Sequence, residues 1–248
     1  MANQQAGEWI IDVRAVRRAY GSGGVATPAV NALDLRVARG EFVSLMGPSG
    51  SGKTTLLNLM AGLDVPDGGQ VFFDGVELAG LADHEVSGMR LRRIGFVFQN
   101  FNLIPALTVE ENVGWPLEFA RVKRAEVRRR VDEALRKVGV VGWERRHPTE
   151  MSGGEQQRVA IARAIVTEPV LLLADEPTGN LDSATGRLIL DLLRTLNKSD
   201  GMTVVMVTHN VFAATYGDRT LEMRDGRIVR DVCPPARDEG LAEQGTLP

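Results

Sequence analysis

Short apolar runs typical of β-strands divide the first part of the chain. The strands of this first group are predicted at residues 9–16, 33–37 and 41–46. A glycine-rich turn follows the third run, and helical periodicity then covers residues 53–62. A second sheet-like group combines residues 70–73 with residues 94–98. The third strand therefore leads through a sharp turn directly into a helix.

The second half of the chain combines a long helical stretch with two buried strands. Residues 108–167 are predicted to be mostly helical, whereas residues 170–174 and 203–207 are continuous apolar runs typical of buried parallel strands. Helical periodicity over residues 184–196 separates these two runs, which is the order of a right-handed crossover. We therefore expect a doubly wound α/β core that a mainly helical insert interrupts.

Composition and charge are those of an ordinary soluble globular protein. Of 248 residues, 29 are basic and 32 acidic, which gives a net charge of −3, and 44% are hydrophobic. This nearly neutral balance disfavours a dedicated nucleic-acid binder. The one cysteine, Cys233, allows no internal disulfide, so we expect a cytosolic chain. We also expect no signal peptide and no membrane-spanning helix, because no apolar run is long enough.

The domain boundaries are predicted from the positions at which the periodic pattern of apolar residues begins and ends. Residues 9–233 are expected to form a single domain. Residues 1–8 and 234–248 are polar and irregular, and we expect both ends to be disordered.

A phosphate-binding loop is predicted directly after the third strand. It matches the pattern G-x-x-x-x-G-K-[ST] and consists of Gly47, Pro48, Ser49, Gly50, Ser51, Gly52, Lys53 and Thr54. The glycines let backbone N–H groups point at phosphate oxygens, and the helix that begins near Lys53 adds its positive end. Lys53 is expected to reach the terminal phosphates, and the Thr54 hydroxyl to bind Mg²⁺. A glycine-rich connection without a ligand is the alternative.

Two carboxylates follow the buried run at residues 170–174. Ligands of open α/β sheets bind beyond the carboxyl ends of the strands, so Asp175 and the phosphate loop are expected to meet at one crevice. Asp175 suits the metal side of this site. Glu176 is placed to polarise an attacking water as a general base. A solvated acid at the strand end is the alternative for Glu176.

Residues 151–158, with the sequence MSGGEQQR, resemble the signature of ATP-binding cassette (ABC) ATPases. The resemblance covers roughly residues 9–233. It implies an α/β P-loop NTPase fold, in which a RecA-like core carries an antiparallel β subdomain and a helical subdomain inserted at about residues 100–166. It also implies ATP hydrolysis, with ATP and Mg²⁺ as the bound groups.

The start of the signature helix is a second candidate anion site. Ser152 is a good helix N-cap, and the glycines after it leave backbone N–H groups bare. The resemblance implies a head-to-tail dimer in which this motif of one copy completes the site of the other. The residues assigned to this contact are Ser152, Gly153, Gly154, Glu155 and Gln156. An ordinary helix cap is the alternative.

The remaining site residues are carried over from the resemblance. Gln99 resembles the Q-loop glutamine, which binds Mg²⁺ or water, and His209 resembles the histidine that contacts the γ-phosphate. Tyr20 is the expected adenine-stacking aromatic, with strand-end packing as its alternative. The D-loop corresponds to Asn180, Leu181 and Asp182, and Thr55 extends the nucleotide-binding segment. The family commonly has an acid at Asn210, so its hydrogen bonding is open.

Residues 94–105 and 171–182 resemble the lipoprotein-release, macrolide-efflux and cell-division branch of this family. This implies separate membrane permease subunits with large extracytoplasmic domains, and residues 115–117 lie in the stretch that borders the groove for the permease. Trp115 alternatively packs in the core. The basic run at residues 121–130 is a solvated helix face by default, or lies near anionic headgroups.

The expected function is therefore that of an ATP-hydrolysing subunit of a transporter or mechanotransmission complex, peripheral on the cytoplasmic face of the cell membrane, without direct nucleic-acid contact. A cassette that acts on nucleic acid or the ribosome without a membrane partner is one alternative, and a salt-sensitive nucleic-acid affinity would support it. A regulator that binds ATP without turnover is another, and measured ATPase activity separates it from the enzyme.

Overall fold

The computed structural model describes residues 8–21 and 26–233, which form two β-sheets and the helices around them. The strands are β1 (Trp9–Tyr20), β2 (Thr27–Ala38), β3 (Phe42–Met46), β4 (Gly68–Phe73), β5 (Val76–Glu77), β6 (Ile94–Phe98), β7 (Leu171–Asp175), β8 (Thr203–Thr208), β9 (Arg219–Arg224) and β10 (Arg227–Val232). The α-helices are α1 (Lys53–Met60), α2 (Asp83–Arg93), α3 (Val109–Phe119), α4 (Arg124–Lys137), α5 (Gly153–Ile165), α6 (Ser183–Asp200) and α7 (Val211–Ala214).

The two predicted disordered ends, residues 1–8 and 234–248, lie outside the described residues with one exception. Glu8 is described, and its carbonyl oxygen accepts a hydrogen bond from the N–H of Arg39 at 3.2 Å.

The central sheet carries the strands that lead into the predicted site. Its order is β10-β9-β3-β8-β7-β6, with β10 antiparallel and the other strands parallel. All of β8 and the first four residues of β7 are buried, as the continuous apolar runs predict. Helix α6 connects β7 to β8, which confirms the predicted strand, helix, strand order. Because β3, β7 and β8 are parallel, their carboxyl ends meet at one edge of the sheet.

A second, antiparallel sheet has the order β2-β1-β4-β5. The predicted grouping of residues 70–73 with 94–98 is wrong, because β4 pairs with β1 whereas β6 pairs with β7 in the central sheet. Both runs are short and apolar, and a strand's local pattern does not specify a partner that is distant in sequence. One hydrophobic core joins this sheet, α1 and the central sheet through buried side chains that include Ile11, Leu56 and Val205.

Helices α3, α4 and α5 lie between β6 and β7 in the chain and agree with the helical stretch predicted at residues 108–167. Val113, Val131 and Val159 bring one buried side chain from each helix into a common cluster. Thr108 begins α3 with a capping box, because its hydroxyl and N–H bond reciprocally with Glu111. Within the described part of the chain, no helix is both long and apolar enough to span a membrane.

Candidate active site

The phosphate loop lies between β3 and α1, as predicted, and close contacts require two of its glycines. A Cβ atom on Gly47 would lie 2.2 Å from the carbonyl oxygen of Met223, and one on Gly52 would lie 1.9 Å from that of Ala29. Gly52 also has a φ of 98°, which side-chain-bearing residues rarely adopt. The exposed residues of the loop are Pro48, Ser49, Gly50 and Thr54.

Lys53 is buried and bonds to the backbone of its own loop. Its Nζ donates to the carbonyl oxygen of Gly47 at 2.8 Å and to that of Pro48 at 2.7 Å. Burial lowers the pKa of Lys53, and the negative charges of Glu176 and Asp175 oppose that shift. The ammonium group therefore has neutral oxygen partners that phosphate oxygens can replace.

Thr54 and Asp175 are distant in sequence and adjacent in the structure. Thr54 Oγ1 donates a hydrogen bond to Asp175 Oδ2 at 3.1 Å. Burial raises the pKa of Asp175, the charge of Glu176 adds to this shift, and Thr54 and Lys53 oppose it. A hydroxyl and a carboxylate this close are hard oxygen ligands of the kind that Mg²⁺ prefers, so these two residues would fit such an ion.

Glu176 and His209 form a pair just beyond the ends of β7 and β8. His209 Nδ1 lies 2.9 Å from Glu176 Oε2. Glu176 has a φ of 48°, in the left-handed region that residues other than glycine rarely occupy. Its N–H donates to the carbonyl oxygen of Val207 at 3.0 Å, which ties this unusual backbone conformation to β8. The His209 side chain is 65% exposed and is therefore open to a ligand.

Gln99 contacts the segment predicted as the D-loop. Its Nε2 lies 3.3 Å from Asn180 Oδ1, and a Cβ atom on Gly179 would lie 2.8 Å from the same nitrogen. Asn180 Nδ2 donates in turn to the Gln99 carbonyl oxygen at 3.0 Å. The structure thus shows Gln99 joined to Asn180, while its contact with Mg²⁺ stays a prediction.

Leu181 and Asp182 connect this segment to the start of the signature helix. A Cβ atom on Gly153 would lie 3.3 Å from Leu181 Cδ2, and one on Gly154 would lie 2.4 Å from Thr185 Cγ2. Asp182 Oδ1 accepts the Thr185 N–H at 3.0 Å and caps α6. The first turns of α5 and α6 therefore pack so closely that Gly154 has no room for a side chain.

Ser152 caps α5, as the sequence predicts. Its hydroxyl accepts the N–H of Glu155, and Glu155 Oε2 accepts the N–H of Ser152 at 2.7 Å. Hydrogen bonds from the Ser152 side chain and backbone lower the pKa of Glu155. Within residues 8–21 and 26–233, no hydrogen bond joins the exposed Ser152 to the phosphate loop. The chain thus presents two separate helix N-termini with anion-binding chemistry.

Tyr20 ends β1, beside the strand β2 whose Ala29 carbonyl touches Gly52. Its hydroxyl donates to Asp64, and the Arg18 guanidinium lies 4.9 Å from the ring centre. The residue is 44% exposed. Tyr20 therefore lies near the phosphate loop with part of its ring surface open to a flat ligand.

Three further side-chain contacts lie near the site. Asn210 Oδ1 accepts the Ala213 N–H at 3.2 Å, so this asparagine caps α7. The fully buried Gln157 donates to the carbonyl oxygen of Pro177 at 2.7 Å, directly after Glu176. Arg163 donates to backbone carbonyls of the segment after β6. An arginine or glutamine on an amphipathic helix is common, so its partner becomes visible only in the fold.

Comparisons with known proteins agree with this geometry. Residues 30–179 match the description of the ABC transporter family. The uncharacterised ABC transporter ATP-binding protein MJ0796 of Methanocaldococcus jannaschii is 45% identical over 226 residues, which are 90% of this chain and 96% of that protein. The lipoprotein-releasing system ATP-binding protein LolD of Anaeromyxobacter dehalogenans is 47% identical over 222 residues, 89% of this chain and 93% of that protein. The macrolide export ATP-binding/permease protein MacB of Syntrophobacter fumaroxidans is 43% identical over 221 residues, 88% of this chain but 31% of that protein.

A solved structure extends the similarity to three dimensions. The dimeric post-hydrolysis structure of the ATP-binding cassette MJ0796, bound to ADP and Pi, matches with a TM-score of 0.84 and 43% sequence identity, over 91% of this chain and 99% of that one. The predicted fold of a RecA-like core with an antiparallel β part and a helical part is thereby confirmed. The chain belongs to the ABC transporter family and is an ATP-binding cassette with the ATPase fold and activity of that family.

Proposed function

We propose that this chain is the subunit of an export or mechanotransmission complex that dimerises around Mg-ATP and hydrolyses it to drive a separate membrane permease. The observation that carries the proposal is the convergence of functional groups at the carboxyl ends of three parallel strands. The groups are those of Lys53, Thr54, Asp175, Glu176 and His209. Phosphoryl transfer needs these groups: a cation for the phosphates, oxygens for the metal and a base for water.

Binding of ATP uses groups that already lie at the loop. Phosphate oxygens replace the carbonyl partners of Lys53 and bond to loop N–H groups, including those at the start of α1. The adenine stacks on the exposed part of the Tyr20 ring. These contacts hold the γ-phosphate beside Glu176 and His209, whose side chains already touch each other.

Thr54 and Asp175 are the residues that would hold Mg²⁺, directly or through water, with Gln99 as a further oxygen ligand. When bound, the ion neutralises charge that builds up on the phosphate oxygens during transfer. For Gln99 to serve this role, its side-chain amide must leave Asn180, to which it is held by a long hydrogen bond of 3.3 Å.

Glu176 orients the attacking water and takes its proton at a carboxylate oxygen, while His209 fixes that carboxylate and contacts the γ-phosphate. The left-handed backbone at Glu176, tied to Val207, keeps the carboxylate in one position during the reaction. Lys53 stabilises the negative charge that develops on the transferred group.

The second copy supplies the remaining phosphate contacts. Ser152 is exposed, and in the described part of the chain neither it nor the N–H groups of the two glycines after it bond to the phosphate loop. A head-to-tail dimer brings this helix end of one copy to the ATP of the other. The dimeric state of the similar cassette MJ0796 supports this arrangement.

An exposed groove is the proposed contact for the permease on the cytoplasmic face of the membrane. Its volume is about 520 Å³, and residues from α2, β6, α3 and α5 line it, among them Arg90, Phe98, Pro116, Phe119 and Arg163. Phe119 is 64% exposed and packs edge to face on Trp115, which is 40% exposed. Exposed aromatics on a groove are typical of a protein contact. The names of LolD and MacB support a permease of lipoprotein or drug export type.

Ion pairs within the basic run at residues 121–130 favour a solvated helix face over a contact with nucleic acid. Within it, Arg129 and Arg130 both bond to Glu126, at 2.7 Å and 2.6 Å. These pairs neutralise part of the positive charge that a phosphate backbone would need.

The test is capture of membrane partners from detergent-solubilised native membranes, with ATP present and Glu176→Gln as the tagged protein. We expect a membrane protein with a large extracytoplasmic domain. Adding Phe119→Asp should abolish its capture, since a charge would then lie in an apolar contact. Val211→Asp is the matched control, because Val211 is 70% exposed but lies outside the groove. Recovery of ribosomal or nucleic-acid-associated proteins alone would contradict the proposal.

A further inference from the structure

Arg163 is a partly buried cation whose hydrogen-bond partners are backbone carbonyls. It lies near the end of α5, and its Nη2 donates to the carbonyl oxygen of Phe101 at 2.7 Å. Its Nη1 donates to the carbonyl oxygen of Asn102. In the part of the chain that the structure describes, no carboxylate pairs with this guanidinium, and burial lowers its pKa. Partial desolvation of a cation without an anion costs free energy, and the two hydrogen bonds to carbonyls of one turn offset that cost.

The turn that Arg163 holds has an unusual backbone. Phe101 has a φ of 59° and Asn102 a φ of 51°, so two consecutive residues with side chains are left-handed. Asparagine tolerates this region, but for a bulky phenylalanine it is strained. Such a conformation persists only where surrounding contacts hold it. The turn begins two residues after Gln99. Its shape therefore determines the position of the Gln99 backbone, from which the side chain extends.

The same turn also lies close to the beginning of α5. A Cβ atom on Gly153, the residue after Ser152, would lie 3.6 Å from Cζ of the Phe101 ring. Arg163 thus bonds the turn to α5, and the Phe101 ring lies close to the other end of the same helix, next to Ser152. On its other side, Asn180 Nδ2 bonds to Asn100 Oδ1 at 2.8 Å.

We propose that Arg163 is a positioning residue that locks the Phe101–Asn102 turn to α5, so that Gln99 at one nucleotide site and Ser152 at the other move as one unit. Arg163 and Asn102 also line the 520 Å³ groove. An occupant of that groove therefore bears directly on the lock and shifts both residues together. This last step rests on the proposed function, whereas the lock itself is a property of the isolated chain.

The lock is tested in the isolated protein by amide hydrogen exchange. In Arg163→Met, which keeps the stem but loses the donors, exchange should accelerate about 10-fold or more both at residues 98–103 and at residues 152–156. Arg163→Lys, which can still donate to a carbonyl, should restore most of the protection. Arg219→Met is the control, since Arg219 also donates to a backbone carbonyl, that of Arg36 at 2.6 Å, and lies in β9, the second strand from the edge of the sheet opposite β6. It should leave both segments unchanged.

Steady-state kinetics give a second readout. Arg163→Met should lower kcat about 10-fold or more while the KM for ATP changes little, because the phosphate loop is intact and a misplaced side chain costs turnover. The Mg²⁺ concentration for half-maximal activity should rise by about 10-fold, because Gln99 is no longer held.

Asn102→Pro is a second variant that tests the lock even if the Arg163 variants do not fold. Asn102 is exposed, and proline cannot adopt its positive φ, so the turn is disrupted with Arg163 in place. It should reproduce the exchange and kinetic changes, whereas Asn102→Gly should show far smaller ones. Unchanged exchange in both Arg163→Met and Asn102→Pro, or equal changes in Arg219→Met, would overturn the proposal. If the unaltered protein hydrolyses no ATP, the proposed function fails, and hydrogen exchange still decides on the lock.

Discussion

At the residue scale, the site holds several groups in states that cost stability. Glu176 has a left-handed backbone, and Asp175 is a carboxylate whose pKa burial raises. Both costs are understandable if the site binds a metal ion and phosphate as proposed, because these groups supply charge and contacts. We therefore expect that some substitutions at the site raise the stability of the fold while they lower the rate of catalysis.

Asp175→Asn should separate these two properties. The pKa of Asp175 is higher in the folded protein than in the unfolded chain. The folded protein therefore loses stability as the pH rises from the ordinary pKa of an aspartate toward this raised pKa, and at pH 7 the ionised carboxylate destabilises the fold. The amide removes that cost, and the Tm at pH 7 should rise by roughly 2–4 °C. ATP turnover should fall by about 100-fold or more, because the proposed metal ligand is lost.

The pH dependence of this variant provides the check. Below pH ~4, where the carboxyl is protonated in both folded and unfolded chains, the difference in Tm should disappear. Asp132→Asn, on the exposed face of α4, is the control and should change neither Tm nor turnover. A lower Tm for Asp175→Asn at pH 7 would show that the carboxylate stabilises the fold.

At the element scale, two helices begin with the same capping box but have different surroundings. Ser152 and Glu155 begin α5, and Thr108 and Glu111 begin α3 with nearly the same hydrogen bonds. A capping box serves helix stability in both cases. Only the one at α5 lies in the motif that we propose to contact the ATP of a second copy.

Ser152→Ala and Thr108→Ala should therefore have equal effects on stability and different effects on activity. Each removes one side-chain cap, and the free energy of unfolding should fall by about 1 kcal/mol in both. Only Ser152→Ala should also slow ATP turnover, by about 10-fold or more, because a phosphate contact is lost. Chemical denaturation and steady-state kinetics on the two variants measure this. Equal losses of turnover would mean that stability, and not the phosphate contact, explains the effect.

Elements with strong local signals were predicted from the sequence, and elements defined by distant partners were not. The loop between β3 and α1, the buried strands β7 and β8 and the cap at Ser152 have local patterns, and the structure has each of them, whereas phosphate binding at the loop stays a prediction. The partner of β4 has no such pattern, and its sheet was predicted wrongly. Gln157 and Arg163 were missed because a polar side chain on a helix does not reveal which distant backbone it binds.

At the scale of the whole molecule, the proposed function gives one chain the parts of two half sites. The phosphate loop, with Lys53 and Thr54, lies at the edge of the central sheet, and the exposed end of α5 at Ser152 has no bond to it among the described residues. Two copies related head to tail would complete two sites at once, and ATP would lie between them. Closing on ATP and opening after hydrolysis is then the motion available to a partner at the groove.

The mass of Glu176→Gln in solution tests this account most directly. The amide cannot take a proton from water, so ATP should bind and persist, with turnover reduced by about 100-fold or more. Light scattering should then give the monomer mass without nucleotide and twice that mass with Mg-ATP, and Ser152→Arg added to it should keep the protein monomeric, because the larger side chain fills the contact. A Glu176→Gln protein that stays monomeric with saturating Mg-ATP, or turns ATP over at the normal rate, would contradict the account.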